Sequence, residues 1–73
     1  MATKTFMWTA KKIRNLRIAV RETQVGFAGR VGVNRSALSA WEAGKKNPSI
    51  TNQATLDEIA SSAGVTTRTL SRS

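Results

Sequence analysis

The sequence has no cysteine and no histidine, and its only carboxylates are Glu22, Glu42, Asp57 and Glu58. Without cysteine and histidine there are no disulfides, no thiolate nucleophiles and no Cys/His zinc sites. Catalytic arrangements built around an imidazole are excluded for the same reason. The four carboxylates are too few and too scattered for a metal cage or an acid/base pair. We therefore expect no metal, no cofactor, no small-molecule substrate and no enzymatic activity.

Long apolar runs are missing as well. No stretch approaches the ~20 residues of a membrane-spanning helix, and the N-terminal sequence MATKTFMW lacks the apolar core of a signal peptide. We therefore expect a soluble, cytoplasmic protein without a membrane partner.

Positive charge, by contrast, is abundant. Twelve Lys and Arg residues against four Asp and Glu residues give a net charge of +8. Residues 1–48 hold ten of these cations and two of the anions, whereas residues 49–73 are balanced. A basic half favours a polyanion such as nucleic acid as its partner, with the neutral half left for packing or for a protein contact. A basic surface that serves only solubility is the alternative.

The spacing of apolar residues predicts one small all-α domain of five short helices over residues 9–73, preceded by an N-terminal arm at residues 1–8. Thr9, Thr23 and Asn34 are the expected N-caps of the first three helices. Trp8 before the first cap is expected to pack on Ile13 as a hydrophobic staple, rather than to contact a partner. The predicted helices are TAKKIRNLRIAV, 24–31, 35–43, 53–63 and one or two turns after Thr66.

Glycine and proline mark the expected ends of these helices. Gly44 suits the left-handed position after the third helix, and Gly64 stops the fourth. The segment KKNPSITN, which holds the only proline, is predicted to be a polar loop. Gly26 and Gly29 fall inside the second helix on its outward face, where each costs about 0.5–1 kcal/mol relative to alanine.

The two central helices are joined by a tight turn at Gly32-Val33-Asn34, which is the arrangement of a helix-turn-helix. Ala28 supplies the small side chain that closely crossing helices need, and Gly32 supplies a residue that accepts positive φ. Leu38 and Trp41 are the expected core residues of the second of these helices. Stacking of Trp41 on a base is the alternative to core packing.

The segments IRNLR, TQVGFAGRVGVNRSALSAWEAGKKNPS and LDEIASSAGV resemble the Cro/repressor-type (XRE, lambda-repressor-like) helix-turn-helix family. The resemblance covers about residues 12–70. It implies a compact five-helix DNA-binding domain that binds a palindromic double-stranded operator as a homodimer and regulates transcription. For a bacterial or phage-encoded member it also implies association with the nucleoid.

The resemblance also assigns roles to particular residues. It places Arg35, Ser36, Ser39 and Ala40 on the base-reading side of the third helix, with Arg35 best suited to grip guanine O6 and N7. An ion pair between Arg17 and Glu42 is expected to tie the first helix to the third. Phosphate contacts are expected from Thr23, Gln24, Asn34, Lys45, Lys46 and Asn47. For Arg35, phosphate contact or simple solvation is the alternative to base reading.

Two features depart from the family pattern. Arg21 and Glu22 stand where the family commonly has glycine and an apolar residue, so we expect the first helix to lack its usual stop. The loop SITNQAT reads as about three residues longer than usual.

Two functions are consistent with these observations. The first is a sequence-specific regulator, a repressor of mobile-element type, controlled by its concentration or by a second regulatory protein. The alternative is an antitoxin or adaptor that binds a protein through its neutral half, with Val65 and Leu70 in the contact.

Overall fold

The structure, a computed structural model, describes residues 8–65. This part of the chain contains no strand, in agreement with the predicted all-α class. The predicted fifth helix, the predicted contact residue Leu70 and residues 1–7 of the predicted arm lie outside this range. The described helices are α1 (Ala10–Ala19), α2 (Gln24–Val31), α3 (Arg35–Glu42) and α4 (Ile50–Ser62).

Each described helix begins at a side chain that caps it. In all four, the cap oxygen accepts a hydrogen bond from the backbone N–H three residues on, at 2.8 to 3.2 Å, which satisfies a donor that has no partner inside the helix. The predicted caps Thr9, Thr23 and Asn34 are confirmed. Helix α3 ends at Glu42, one residue before the predicted end, and Ala43 is its C-cap.

The predicted start of the fourth helix is wrong, because the fourth N-cap is Ser49. Its hydroxyl accepts a hydrogen bond from the N–H of Asn52, so α4 begins at Ile50, three residues earlier than predicted. Pro48 lies buried just before the cap, and its carbonyl accepts a hydrogen bond from the Gln53 side chain at 3.0 Å. All of the segment SITNQAT after its first residue therefore forms the first turns of α4, and the connection from α3 is shorter than predicted.

The first helix stops without glycine. Arg21 adopts φ 59°, the left-handed conformation, directly after the C-cap Val20. The N–H of Arg21 donates to Ile18 O at 3.0 Å, and that of Glu22 donates to Arg17 O at 3.1 Å. These two hydrogen bonds form the Schellman motif that usually ends with glycine. The expectation that the helix lacks its usual stop is therefore wrong, since Arg21 takes the conformation itself.

Every described helix contributes a fully buried side chain to one apolar core. Trp8 joins this core beside α1 and donates its indole N–H to Asp57 Oδ1 at 2.8 Å, which ties the start of the domain to α4. On α4 the buried residues are Leu56, Ile59 and Ala60, whereas Ala54 and Ala63 are exposed. The largest fully buried side chains are those of Ile13, Leu16, Phe27, Leu38 and Leu56.

The turn between α2 and α3 has the geometry that its sequence predicts. Gly32 adopts φ 97°, and Ala28, with only 1% of its surface exposed, lies beneath the turn. The carbonyl of Ala28 accepts hydrogen bonds from the N–H groups of Gly32 and Val33 at 2.8 and 2.9 Å. Helix α3 packs against both α1 and α2, which leaves one long side of α3 for solvent.

Candidate nucleic-acid interface

The solvent side of α3 carries the four residues predicted to read bases. Leu38 and Trp41 are buried on the opposite side and fix the rotation of the helix, since they are three residues apart. Arg35 and Ser36 are therefore exposed, and Ser39 and Ala40 are half-buried. Together with two further residues they line an open depression of about 250 Å³. Its lining residues are Arg35, Ser36, Ser39, Ala40, Ala43 and Lys45.

The depression combines small residues with charged ends. Serine and alanine line its floor, and a cation stands at each end of α3, which is about 12 Å long. Ala43 was not among the predicted site residues. Its position three residues after Ala40 is the sequence signal that would have found it, because residues three apart share a helix face.

The end of α3 directs two lysines past the helix. Gly44 adopts φ 77°, and the backbone N–H groups of Lys45 and Lys46 both donate to Ala40 O, at 2.9 and 3.3 Å. The chain therefore turns sharply, and the side chains of both lysines and of Asn47 are exposed. Lys45 lines the depression, whereas Lys46 and Asn47 follow it along the connection to α4.

The two cap residues predicted to contact phosphate keep a hydrogen to donate. Thr23 Oγ1 accepts from the N–H of Gly26 at 3.0 Å, and Asn34 Oδ1 accepts from that of Ala37 at 2.8 Å. A hydroxyl still has its O–H and an amide its NH₂ group when the oxygen acts as acceptor. Both residues are exposed, each at the N-terminus of a helix, where the helix dipole favours an anion.

Gln24 is placed differently from the expectation for a simple phosphate contact. Its side-chain Nε2 donates to Glu42 Oε1 at 3.2 Å. Glu42 also accepts two hydrogen bonds from Arg17, at 2.7 Å from Nε and 3.1 Å from Nη2. One carboxylate near the end of α3 therefore fastens α1 and the start of α2. The contact of Gln24 with Glu42 has no local signal in the sequence, since the two residues are 18 apart.

The Arg17–Glu42 ion pair is largely shielded from solvent. The exposed fractions of the two side chains are 19% and 6%. The hydrogen bond with Glu42 raises the pKa of Arg17, burial lowers it in part, and the charge of Glu42 raises it further. The guanidinium therefore stays charged and also donates from Nη1 to the carbonyl of Glu22 at 3.2 Å. The pair holds the orientation of α3 relative to α1.

Residues 8–65 contain neither a candidate metal site nor a candidate membrane-spanning helix. No group of three or more His, Cys, Asp or Glu side chains in that range is arranged to hold a metal ion. None of its helices has both the length and the apolar character needed to cross a membrane.

The chain matches a model of a known protein family. The family model described as Helix-turn-helix matches residues 13–52, which is 40 of the 73 residues and includes α1, α2 and α3 except for the first three residues of α1. No curated protein and no solved structure matches the chain significantly.

Proposed function

Since the chain belongs to the Cro/repressor-type (XRE) helix-turn-helix family, which consists of DNA-binding regulatory domains, we propose that it is a sequence-specific regulator of transcription. One observation carries this proposal. The exposed side of α3 gathers Arg35, Ser36, Ser39 and Ala40 around one open depression, with Lys45 at its edge. In a helix-turn-helix, this side of the second helix lies in the major groove of DNA.

The chemistry of the depression fits a base edge better than a small ligand. It is shallow and open, and its floor is made of small side chains that let α3 approach the bases closely. Arg35 carries the fork of donors that recognises guanine O6 and N7. Ser36 and Ser39 donate to or accept from either kind of base pair, and Ala40 offers an apolar contact to a thymine methyl.

Phosphate contacts supply most of the affinity in this proposal. The N-termini of α2 and α3, with Thr23, Gln24 and Asn34, approach the backbone on one side of the groove. Lys45, Lys46 and Asn47 approach it after α3. Two lysines per subunit predict a log–log salt dependence of binding with a slope of about −1.8 for one subunit and about −3.6 for two.

The finer parts of the proposal concern assembly and regulation. We propose a homodimer on a palindromic operator, with half-sites about one helical turn apart, because two-fold protein symmetry is matched by two-fold symmetry in the DNA. We further propose that the protein is a repressor of mobile-element type. A domain with few long base-reading side chains also relies on DNA shape for part of its specificity.

The test is a binding titration against the DNA upstream of the protein's own gene. We expect binding to that DNA to be at least about tenfold tighter than to a scrambled duplex of the same length and composition. Equal affinity for both duplexes would overturn sequence-specific regulation. No affinity for either, together with capture of a protein encoded by the neighbouring gene, would favour the antitoxin or adaptor function instead.

A further inference from the structure

An ion pair lies across the bare outer face of α2. Arg30 Nη1 is 3.3 Å from Glu22 Oε2, and both side chains are partly exposed, at 41% and 32%. Gly26 and Arg30 are four residues apart and lie on one side of α2, and Glu22 lies just before the N-cap of this helix. A Cβ atom on Gly26 would lie 2.7 Å from Glu22 Oε1. Glycine at position 26 therefore leaves the space that the Glu22 carboxylate occupies.

The direction of the Arg30 side chain follows from helix geometry. Side chains on an α-helix lean toward its N-terminus, so Arg30 extends back over the turn that contains Gly26. Its guanidinium consequently lies beside the first turn of α2, although its Cα lies near the other end of the helix. Glu22 precedes the N-cap Thr23 and reaches the same place from the opposite direction.

This is the place where the proposed function puts a DNA phosphate. Thr23 and Gln24 at the start of α2 are the proposed phosphate contacts, and the Glu22 carboxylate stands directly beside them. A carboxylate in that position repels a phosphate and neutralises the nearest guanidinium, whereas the guanidinium alone would attract a phosphate.

Resting on the proposed function, we propose that Arg30 is a further phosphate-binding residue, which Glu22 holds and neutralises in the free protein. A DNA phosphate at the start of α2 replaces the carboxylate as the partner of Arg30. Glu22 thereby lowers the affinity for every DNA sequence alike, so that the base contacts of α3 decide where the protein stays bound. Gly26 is required by this arrangement because it makes room for the ion pair.

The experiment compares Glu22→Gln with Glu58→Gln on the promoter duplex and on its scrambled form. Both variants raise the net charge by one, but Glu58 lies exposed on α4, whereas Glu22 is the residue that pairs with Arg30. We expect Glu22→Gln to bind both duplexes about twofold to fivefold more tightly, the range of an exposed ion pair. Its salt slope should stay close to that of the wild type, because Arg30 contacts the same phosphate in both complexes. Glu58→Gln should change the affinity less, because it removes the same charge without releasing Arg30 from its ion pair.

A second pair of variants tests the role of Arg30. Arg30→Gln should weaken binding to both duplexes and make the salt slope shallower, and the gain from Glu22→Gln should vanish when both changes are combined. The proposal for Arg30 is wrong if Glu22→Gln behaves like Glu58→Gln, or if it keeps its full effect in the absence of Arg30. In both cases the proposed function still stands, provided that the wild-type protein binds the promoter duplex more tightly than the scrambled one. Loss of DNA binding by the wild-type protein would instead contradict the proposed function itself.

Discussion

Replacing Arg21 by glycine should stabilise the domain. Arg21 has φ 59° in the same helix-ending motif in which Gly44 and Gly64 have φ 77° and 74°. A residue with a Cβ atom in the left-handed conformation destabilises the fold by about 1–2 kcal/mol. Glycine removes this strain, but it also increases the conformational entropy of the unfolded chain, which cancels part of the stabilisation. We expect Arg21→Gly to raise the free energy of unfolding by about 0.5–1 kcal/mol, which for a domain of this size is about 3–6 °C in Tm.

The matched control for this variant is Arg21→Ala. It removes the same exposed charge and side chain but keeps the Cβ atom, so we expect it to stay within about 0.5 kcal/mol of the wild type. Thermal unfolding followed by circular dichroism measures both variants. If Arg21→Gly is no more stable than Arg21→Ala, the left-handed strain is not present in solution and the explanation of how α1 ends is wrong.

Two further predictions concern stability. Gly29→Ala should raise the free energy of unfolding by about 0.5–1 kcal/mol, because nothing lies within 4 Å of the added Cβ. Gly26→Ala should raise it less, because its Cβ displaces the Glu22 carboxylate. An equal increase for both variants in thermal unfolding would show that the ion pair does not occupy the space beside Gly26. Glu42→Ala should lower it by about 1–3 kcal/mol in urea unfolding, because Arg17 and Gln24 lose a largely shielded partner. Glu58→Ala serves as the exposed control for Glu42→Ala, and a loss no larger than in that control would contradict the role of the network.

Local signals account for the elements that were predicted correctly. Thr9, Thr23 and Asn34 each stand directly before an apolar pattern of helical period, and caps act within one turn of the chain. The same period decides which side of α3 faces the core. The placement of Arg35 and Ala40 on one exposed surface could therefore be predicted from Leu38 and Trp41.

The incorrect predictions have physical causes that the sequence does not reveal locally. Both Ser49 and Asn52 are good N-cap residues before α4. Because Ile50 and Thr51 between them are weak helix formers, the pattern favours a start after Asn52. In the structure, burial of Pro48 and the hydrogen bond from the Gln53 side chain to its carbonyl favour the start after Ser49. The left-handed Arg21 was missed because that conformation is expected of glycine.

Contacts between distant residues could not be predicted from spacing at all. Gln24 reaches Glu42 only because α2 and α3 pack against each other, and Trp8 reaches Asp57 only because the fold brings α4 next to the start of the domain. The ion pair between Glu22 and Arg30 was also missed. Its residues lie eight apart, and the sequence indicates only that Gly26 between them weakens the helix, not that it leaves space for their side chains.

The central claim is that the exposed side of α3 reads base sequence, and Arg35→Ala compared with Lys45→Ala tests it most directly. Dissociation constants of both variants are measured on the promoter duplex and on its scrambled form over a range of salt concentrations. Arg35→Ala should lose about 1–3 kcal/mol on the promoter duplex and much less on the scrambled one, whereas Lys45→Ala should weaken both similarly and reduce the salt slope by about 1. An equal loss on both duplexes for Arg35→Ala would contradict base reading by α3.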